Sequence, residues 1–443
     1  MDKNLEQKVP QKEGGMSSAN VAEWKNYLSS PEADLIVYEN ITSLRQEVEK
    51  PEDWIRTKEL AKQELESVPK TTIPQIFERL KPYLETLPGG HSKNHVYRDF
   101  INSLVINQDP WVNALDDVEK FIGIIGGTFH DIGNSVVSRY EETKRFAGHA
   151  EAGAFLFGKM AEDLLPPNLL KLSQFAIAAH THYTKDIEIK RTVNGEEKTV
   201  TKKPYNDTLD EQHNKAGIWL SRWADRLDAQ GVQMFIRHAI TKAEPTEDYD
   251  QEGFHQIKED EIEDFMHHFA PSMRTENFTN GRNTLEHITM FRNSALGKSV
   301  YSQHDTPYFT NGLVKPNAEE QEEFIGEVLR ETPVLSEKEI NDKFETFYNM
   351  CRRVDQGSNI ETVIGLFKRK FSSLSTSQLS HWANGFSVLP KLYDQMLLRM
   401  GNKLQEANSN QDQSGVFREA GAFALQILEG LKIEAQPQRS PNE

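Results

Sequence analysis

Residues 121–134, FIGIIGGTFHDIGN, constrain the fold more than any other stretch: an apolar run that ends in the adjacent pair His130–Asp131. A run this apolar is a buried helix, so it delivers an imidazole and a carboxylate side by side at the edge of a core. Burying an unpaired Asp costs several kcal/mol, so the pair requires a cation or a network of partners.

The other histidine-bearing segments can be placed relative to this helix, expected over 116–133. Gly89–Gly90 breaks the chain before HSKNHVYRDFINSLVIN, where Val96, Phe100, Leu104 and Val105 recur at helical spacing. His91 and His95 lie four apart and are expected on one helix face. His149 opens HAEAGAFLFGKMAEDLL, and NLLKLSQFAIAAHTHY stays apolar until His180 and His182. In HNKAGIWLSRWADRLDAQGVQMFIRHAI, Asp225 sits among Trp223, Ala224 and Leu227. There it is either paired to Arg222 or Arg226, or it is a ligand.

The fold class expected is all-α with one small β-hairpin. Residues 1–16 read as a flexible leader, and 17–84 as short helices with Pro51, Pro69, Pro74 and Pro82 at their starts or joints. The histidine-bearing core spans 85–245. A hairpin insertion at 184–204 turns on Asn194–Gly195, the strongest short-range hairpin signal. Its Lys185, Lys190, Arg191, Lys198, Lys202 and Lys203 make it mildly basic, either as a solvated hairpin or as an anion-contacting flap. Residues 246–316 read as an irregular and helical cover, 317–433 as a C-terminal helical domain, and 434–443 as a disordered tail.

Composition narrows the function classes. The chain has 443 residues, 37% hydrophobic, which is ample for a large core. A net charge of −17 and a pI near 5.4 argue against general nucleic-acid binding or attraction to an anionic membrane. No apolar run is long enough to span a bilayer and the N-terminus lacks a secretory signal, so a cytoplasmic protein is expected. Cys351 is the single cysteine, leaving histidine and carboxylate as metal donors. No G-x-x-x-x-G-K-[ST] or G-x-G-x-x-G phosphate loop occurs, and nothing sets an oligomeric state.

Neutral imidazole and carboxylate suit a divalent transition metal or magnesium, as one or two ions of Mn, Fe, Ni, Zn or Mg. An Asp beside a His can bridge two such ions, and a bound pair supports phosphoester hydrolysis. The strings HSKNHVYRDF, GGTFHDIGN and WADRLDA, in this order, resemble the HD-domain superfamily of metal-dependent phosphohydrolases over about residues 85–245. The resemblance implies an HD-domain helical core in which His95, His130, Asp131 and Asp225 hold a first metal, with Asp131 bridging. FAGHAEAGA and AIAAHTHY are similar to the segments that hold a second metal, which implies His149 and His180. His91 resembles the earlier histidine of the H-x-x-x-H pattern of the cyclic-nucleotide phosphodiesterase branch, implying a proton donor to the leaving oxygen. The catalytic pair expected is thus His91 and Asp131, acting on a nucleotide or other small phosphorylated metabolite.

Two departures stand out. The family's H-D-[IVL]-G-K reads HDIGN, so Asn134 cannot supply the lysine's charge. Arg139, Lys144, Arg145 and the hairpin lysines are the candidate replacements, with His182 and Arg222 as further substrate contacts. The G-Y-P signature of the cyclic-dinucleotide branch is missing after His182, so that substrate is not supported. A di-iron HD-type oxygenase using the same six residues, and a non-catalytic helical binding or scaffold protein, are the competing readings.

Overall fold

The computed structural model describes residues 18–107, 115–137, 144–180, 186–203, 215–228, 333–372, 374–409 and 415–433, with isolated positions between them. The expected leader, cover and tail, and the candidates Arg139 and His182, lie outside the described residues.

Prolines and side-chain caps set the helix starts. Pro31 opens α2 (Pro31–Val48) behind α1 (Ser18–Ser29), with Ser30 accepting from the Ala33 amide. Pro51 likewise opens α3 (Pro51–Leu65), whereas Pro82 falls inside α4 (Thr72–Leu84). These four helices pack on a central group of α5 (Lys93–Ile106), α6 (Asp117–Phe129), α7 (His149–Ala161), α8 (Pro167–Ala178) and α9 (Ala216–Asp228). Asp116 caps α6 by accepting from the Glu119 amide at 2.9 Å, and Pro167 takes the first turn of α8. The C-terminal helices are α10 (Glu337–Val354), α11 (Ile360–Phe371), α12 (Thr376–Asn408) and α13 (Gly415–Ile433). Serine capping boxes at Ser336 and Ser375 open α10 and α12.

Among the described residues the fold is all-α apart from one hairpin. Strands β1 (Ile187–Val193) and β2 (Glu196–Lys202) pair antiparallel, with Val193 opposite Glu196 and Ile187 opposite Lys202. Asn194 (φ 51°) and Gly195 (φ 83°) both take left-handed backbone, as the tight turn demands. The hairpin lies on α2, burying Ile189 and Val193 against Phe146. Its cations face acids: Arg191 bonds to Asp34, Lys190 lies 3.1 Å from Glu188, and Lys202 lies 3.1 Å from Glu151.

Helix α6 is buried on all sides and packs on α5, α8 and α9. Each fully buried Phe or Ile on it contributes about 1.5–3 kcal/mol. Its glycines let α9 come close: a Cβ on Gly126 would stand 2.1 Å from Ser221 Oγ, and one on Gly127 2.9 Å from Ala224 Cβ. That approach brings the end of α6 beside the end of α9. One apolar core runs without interruption from Val21 of α1 to Leu431 of α13. Among the described residues, no helix is long and apolar enough to cross a membrane.

Two local expectations change. Helix α6 ends at Phe129, and His130 and Asp131 lead into a short 3-10 turn, Ile132–Ser135. His91 is not on a helix, because α5 starts only at Lys93 behind the N-cap Ser92, and Gly90 (φ 80°) bends the chain just before it.

Candidate metal centre

The site forms where helix ends converge. His95 comes from the first turn of α5, His130 and Asp131 from the end of α6, His149 from the first position of α7, His180 from just beyond α8, and Asp225 from the last turn of α9. His91 reaches in from the loop ahead of α5. All seven residues expected from the sequence to be catalytic or metal-binding thus lie in one cluster, with Asp131 at its middle.

The two oxygens of Asp131 face different partners. Oδ2 lies 2.5 Å from His91 Nδ1, 3.0 Å from His130 Nε2 and 3.4 Å from His95 Nε2. Oδ1 accepts from Asn134 Nδ2 at 3.1 Å and lies 3.6 Å from His149 Nε2 and 4.0 Å from His180 Nε2. The last two imidazoles face each other, Nε2 to Nε2, at 3.1 Å. Asp225 Oδ1 stands 3.7 Å from His95 Nε2 and 3.8 Å from His130 Nε2.

Behind this face, fixed acceptors hold the rings. His130 Nδ1 points at the Gly127 carbonyl (2.9 Å), His180 Nδ1 at the Ile177 carbonyl (2.6 Å) and His95 Nδ1 at Asp228 Oδ2 (2.8 Å). A hydrogen bond at Nδ1 leaves Nε2 as the nitrogen available to a metal and fixes the ring's orientation. Asp228 also receives Arg98 Nε at 2.5 Å and Arg237 Nη1 at 2.9 Å, and Arg237 Nη2 lies 3.2 Å from His95 Nε2.

The charges are strongly coupled. Burial alone would raise the Asp131 carboxyl, but His130 and His91 hold it well below the usual carboxylate range. Burial opposes protonation of His130, yet Asp131, with Asp225 and Asp99, pushes it up to about 10. Burial and the neighbouring His130 and His149 bring His180 down to about 3. Such a set of buried acids and imidazoles fits a bound cation: His95, Asp99, His130 and Asp225 form one group whose donor atoms lie within 4.8 Å of one another, and His91, His95 and Asp131 and also His130, Asp131 and His180 form two more. A metal ion is therefore chemically suited to the site, and the donors do not single out one element.

The expected substrate residues are placed differently. Arg145 is buried, with Nε 3.5 Å from Asp34 Oδ1 and a hydrogen bond to the Leu28 carbonyl. Arg222 is buried and gives the Ala179 carbonyl two hydrogen bonds, 3.1 Å from Nε and 2.6 Å from Nη2, which hold the residue before His180. Lys144 is exposed, and Asn134 is bonded to Asp131. Sequence reasoning missed Asp99, Asp228, Arg98 and Arg237. Asp99 had a usable signal: it lies one turn after His95 and so shares its helix face. No model of a known protein family, no curated protein and no solved structure matches the chain.

Proposed function

We propose that this chain is a metal-dependent phosphohydrolase of the HD type that hydrolyses a small phosphorylated metabolite or nucleotide. One observation carries the reading: the Asp131 carboxylate is shared between two sets of imidazoles, His91, His95 and His130 on Oδ2 and His149 and His180 on Oδ1. That is the arrangement needed to bridge two cation positions. In this reading His95, His130, Asp131 and Asp225 hold one ion and Asp131, His149 and His180 the other. Bound divalent ions supply Lewis acidity, which activates water at neutral pH and neutralises charge on a phosphoryl group.

The chain's own residues do the rest. Asp228, Gly127 and Ile177 keep the ligating rings aimed, so little reorganisation accompanies binding. His91 is 14% exposed and hydrogen-bonded to Asp131 through Nδ1, so its ring edge can carry a proton to a leaving oxygen. Asn134 orients Asp131 in place of contacting the substrate's charge, and Lys144 is an exposed cation in the segment that follows.

The test is metal content by elemental mass spectrometry for the wild type and Asp131→Ala, followed by phosphoester turnover with Mn under nitrogen. About two ions per chain and turnover, both lost in the variant, are expected. No metal after reconstitution would sink the reading. Turnover that requires iron and consumes oxygen would replace it with a di-iron oxygenase.

A further inference from the structure

Asp99 is the cluster's one unexplained acid. It lies in α5, one turn beyond His95, and is fully buried. Neither of its carboxylate oxygens has a hydrogen-bond partner. Asp131 and Asp228, by contrast, are each held by several donors. A buried carboxylate without a donor carries its full desolvation cost and persists only where something repays it.

The surroundings say what that is. Asp99 Oδ2 lies 3.1 Å from His95 Nε2 and 3.9 Å from His130 Nδ1, without hydrogen-bond alignment to either. Around the same His95 Nε2 stand Asp131 Oδ2 at 3.4 Å and Asp225 Oδ1 at 3.7 Å. Arg237 brings a guanidinium to 3.2 Å of that nitrogen, but it is already engaged with Asp228 and the Gly90 carbonyl. Acids at this density in a dry space repel one another unless a cation sits among them.

We infer that Asp99 is a direct metal ligand, completing with His95, His130 and Asp225 an inner cation position. This inference rests on the metal-centre part of the function proposed above and not on the reaction. With Asp131 Oδ2 within reach of the same imidazoles, the position has two nitrogen and three carboxylate donors on offer. That is more than a tetrahedral ion uses, and it is rich in hard oxygen, which suits six-coordinate Mn or Fe better than Zn.

The test uses the full chain stripped of metal, with Mn as the probe. Asn keeps the shape of Asp but loses the charge. Calorimetric titration of Asp99→Asn should show Mn affinity more than about a hundredfold weaker at the tighter site, beyond the roughly 10–100-fold that loss of a residue merely orienting a ligand costs. In chelator its melting temperature should match that of the wild type, because Asn keeps the shape of the side chain, and Mn should then raise it by less. A merely structural Asp99 gives a different result in chelator: the variant melts lower or fails to fold while the wild type folds. That result overturns the inference, as does wild-type Mn affinity in the variant. If the wild type itself binds no Mn, the metal centre falls as a whole. If it binds Mn but hydrolyses no phosphoester, only the reaction falls.

Discussion

Replacing Asp228 by Ala tests the least visible part of the centre without any assumption about metal or substrate. Asp228 is 1% exposed and accepts from His95 Nδ1 at 2.8 Å, Arg98 Nε at 2.5 Å and Arg98 Nη2 at 3.1 Å, and Arg237 Nη1 at 2.9 Å. Among the described residues the variant leaves Arg98, itself fully buried, hydrogen-bonded to the Val354 carbonyl at 2.8 Å and the Tyr393 hydroxyl at 3.4 Å. Neither is charged, so the guanidinium stays in the core without the counter-ion it touches and feels Asp355 more weakly. Breaking a buried pair in this way costs about 3–5 kcal/mol. That is roughly a hundredfold to several-thousandfold in the folded-to-unfolded ratio. Urea unfolding followed by circular dichroism, in chelator so that metal linkage does not contribute, measures it. Asp228→Asn should fall between wild type and Asp228→Ala. The double variant Asp228→Leu with Arg98→Met should recover part of the loss, because removing both charges is far milder than orphaning one. A loss below about 1 kcal/mol for Asp228→Ala would refute the reasoning, since the guanidinium would then have found an equivalent partner.

Gly133→Ala should destabilise by about 1–3 kcal/mol, since its Cβ would meet the backbone of His149 and not a side chain that can swing away. The clash is severe, 1.9 Å to the His149 carbonyl oxygen, so the first turn of α7 must shift; an unchanged melting temperature would sink this prediction. Lys202→Met should lower stability more than Lys202→Met combined with Glu151→Gln, because the single change leaves a buried carboxylate, 3.1 Å away and bonded to the Gly148 amide, without its paired charge. Equal melting temperatures for the two would show that the pair is not coupled.

The apolar run ending in His130–Asp131 was legible because hydrophobic periodicity and a buried carboxylate are both local signals. The Asn194–Gly195 hairpin was legible for the same reason, since left-handed backbone at both turn positions suits few other residues. His91 was misplaced onto a helix because spacing alone cannot see the N-cap at Ser92. Asp99 and Asp228 were missed because each stands beside an arginine or near another acid in an ordinary-looking amphipathic segment. Their role depends on what the fold brings up to them: Asp228 meets Arg98 from 130 residues away, and Arg98 meets the Val354 carbonyl across 256. Arg145 and Arg222 looked like anion contacts from their position near the histidines, whereas the fold spends them on the backbone at Leu28 and Ala179. A single sequence carries no mark of such pairings.

The link between α5 and the C-terminal helices bears on how the protein is made. The Gly90 amide donates to Asp355 Oδ2 at 2.7 Å, the Gly89 amide to Asn359 Oδ1 at 2.8 Å, the Ser358 amide to the Leu87 carbonyl at 3.1 Å, and Asn94 Nδ2 to the Arg353 carbonyl at 2.9 Å. The loop carrying His91 is therefore tied by residues synthesised long after every ligand of the cluster. A nascent chain that ends before residue 353 holds all the donor side chains and lacks the strap that seats one of them. The centre is complete only when translation has passed it, and excising residues 85–245 as a minimal unit would remove the strap along with the helices that carry it.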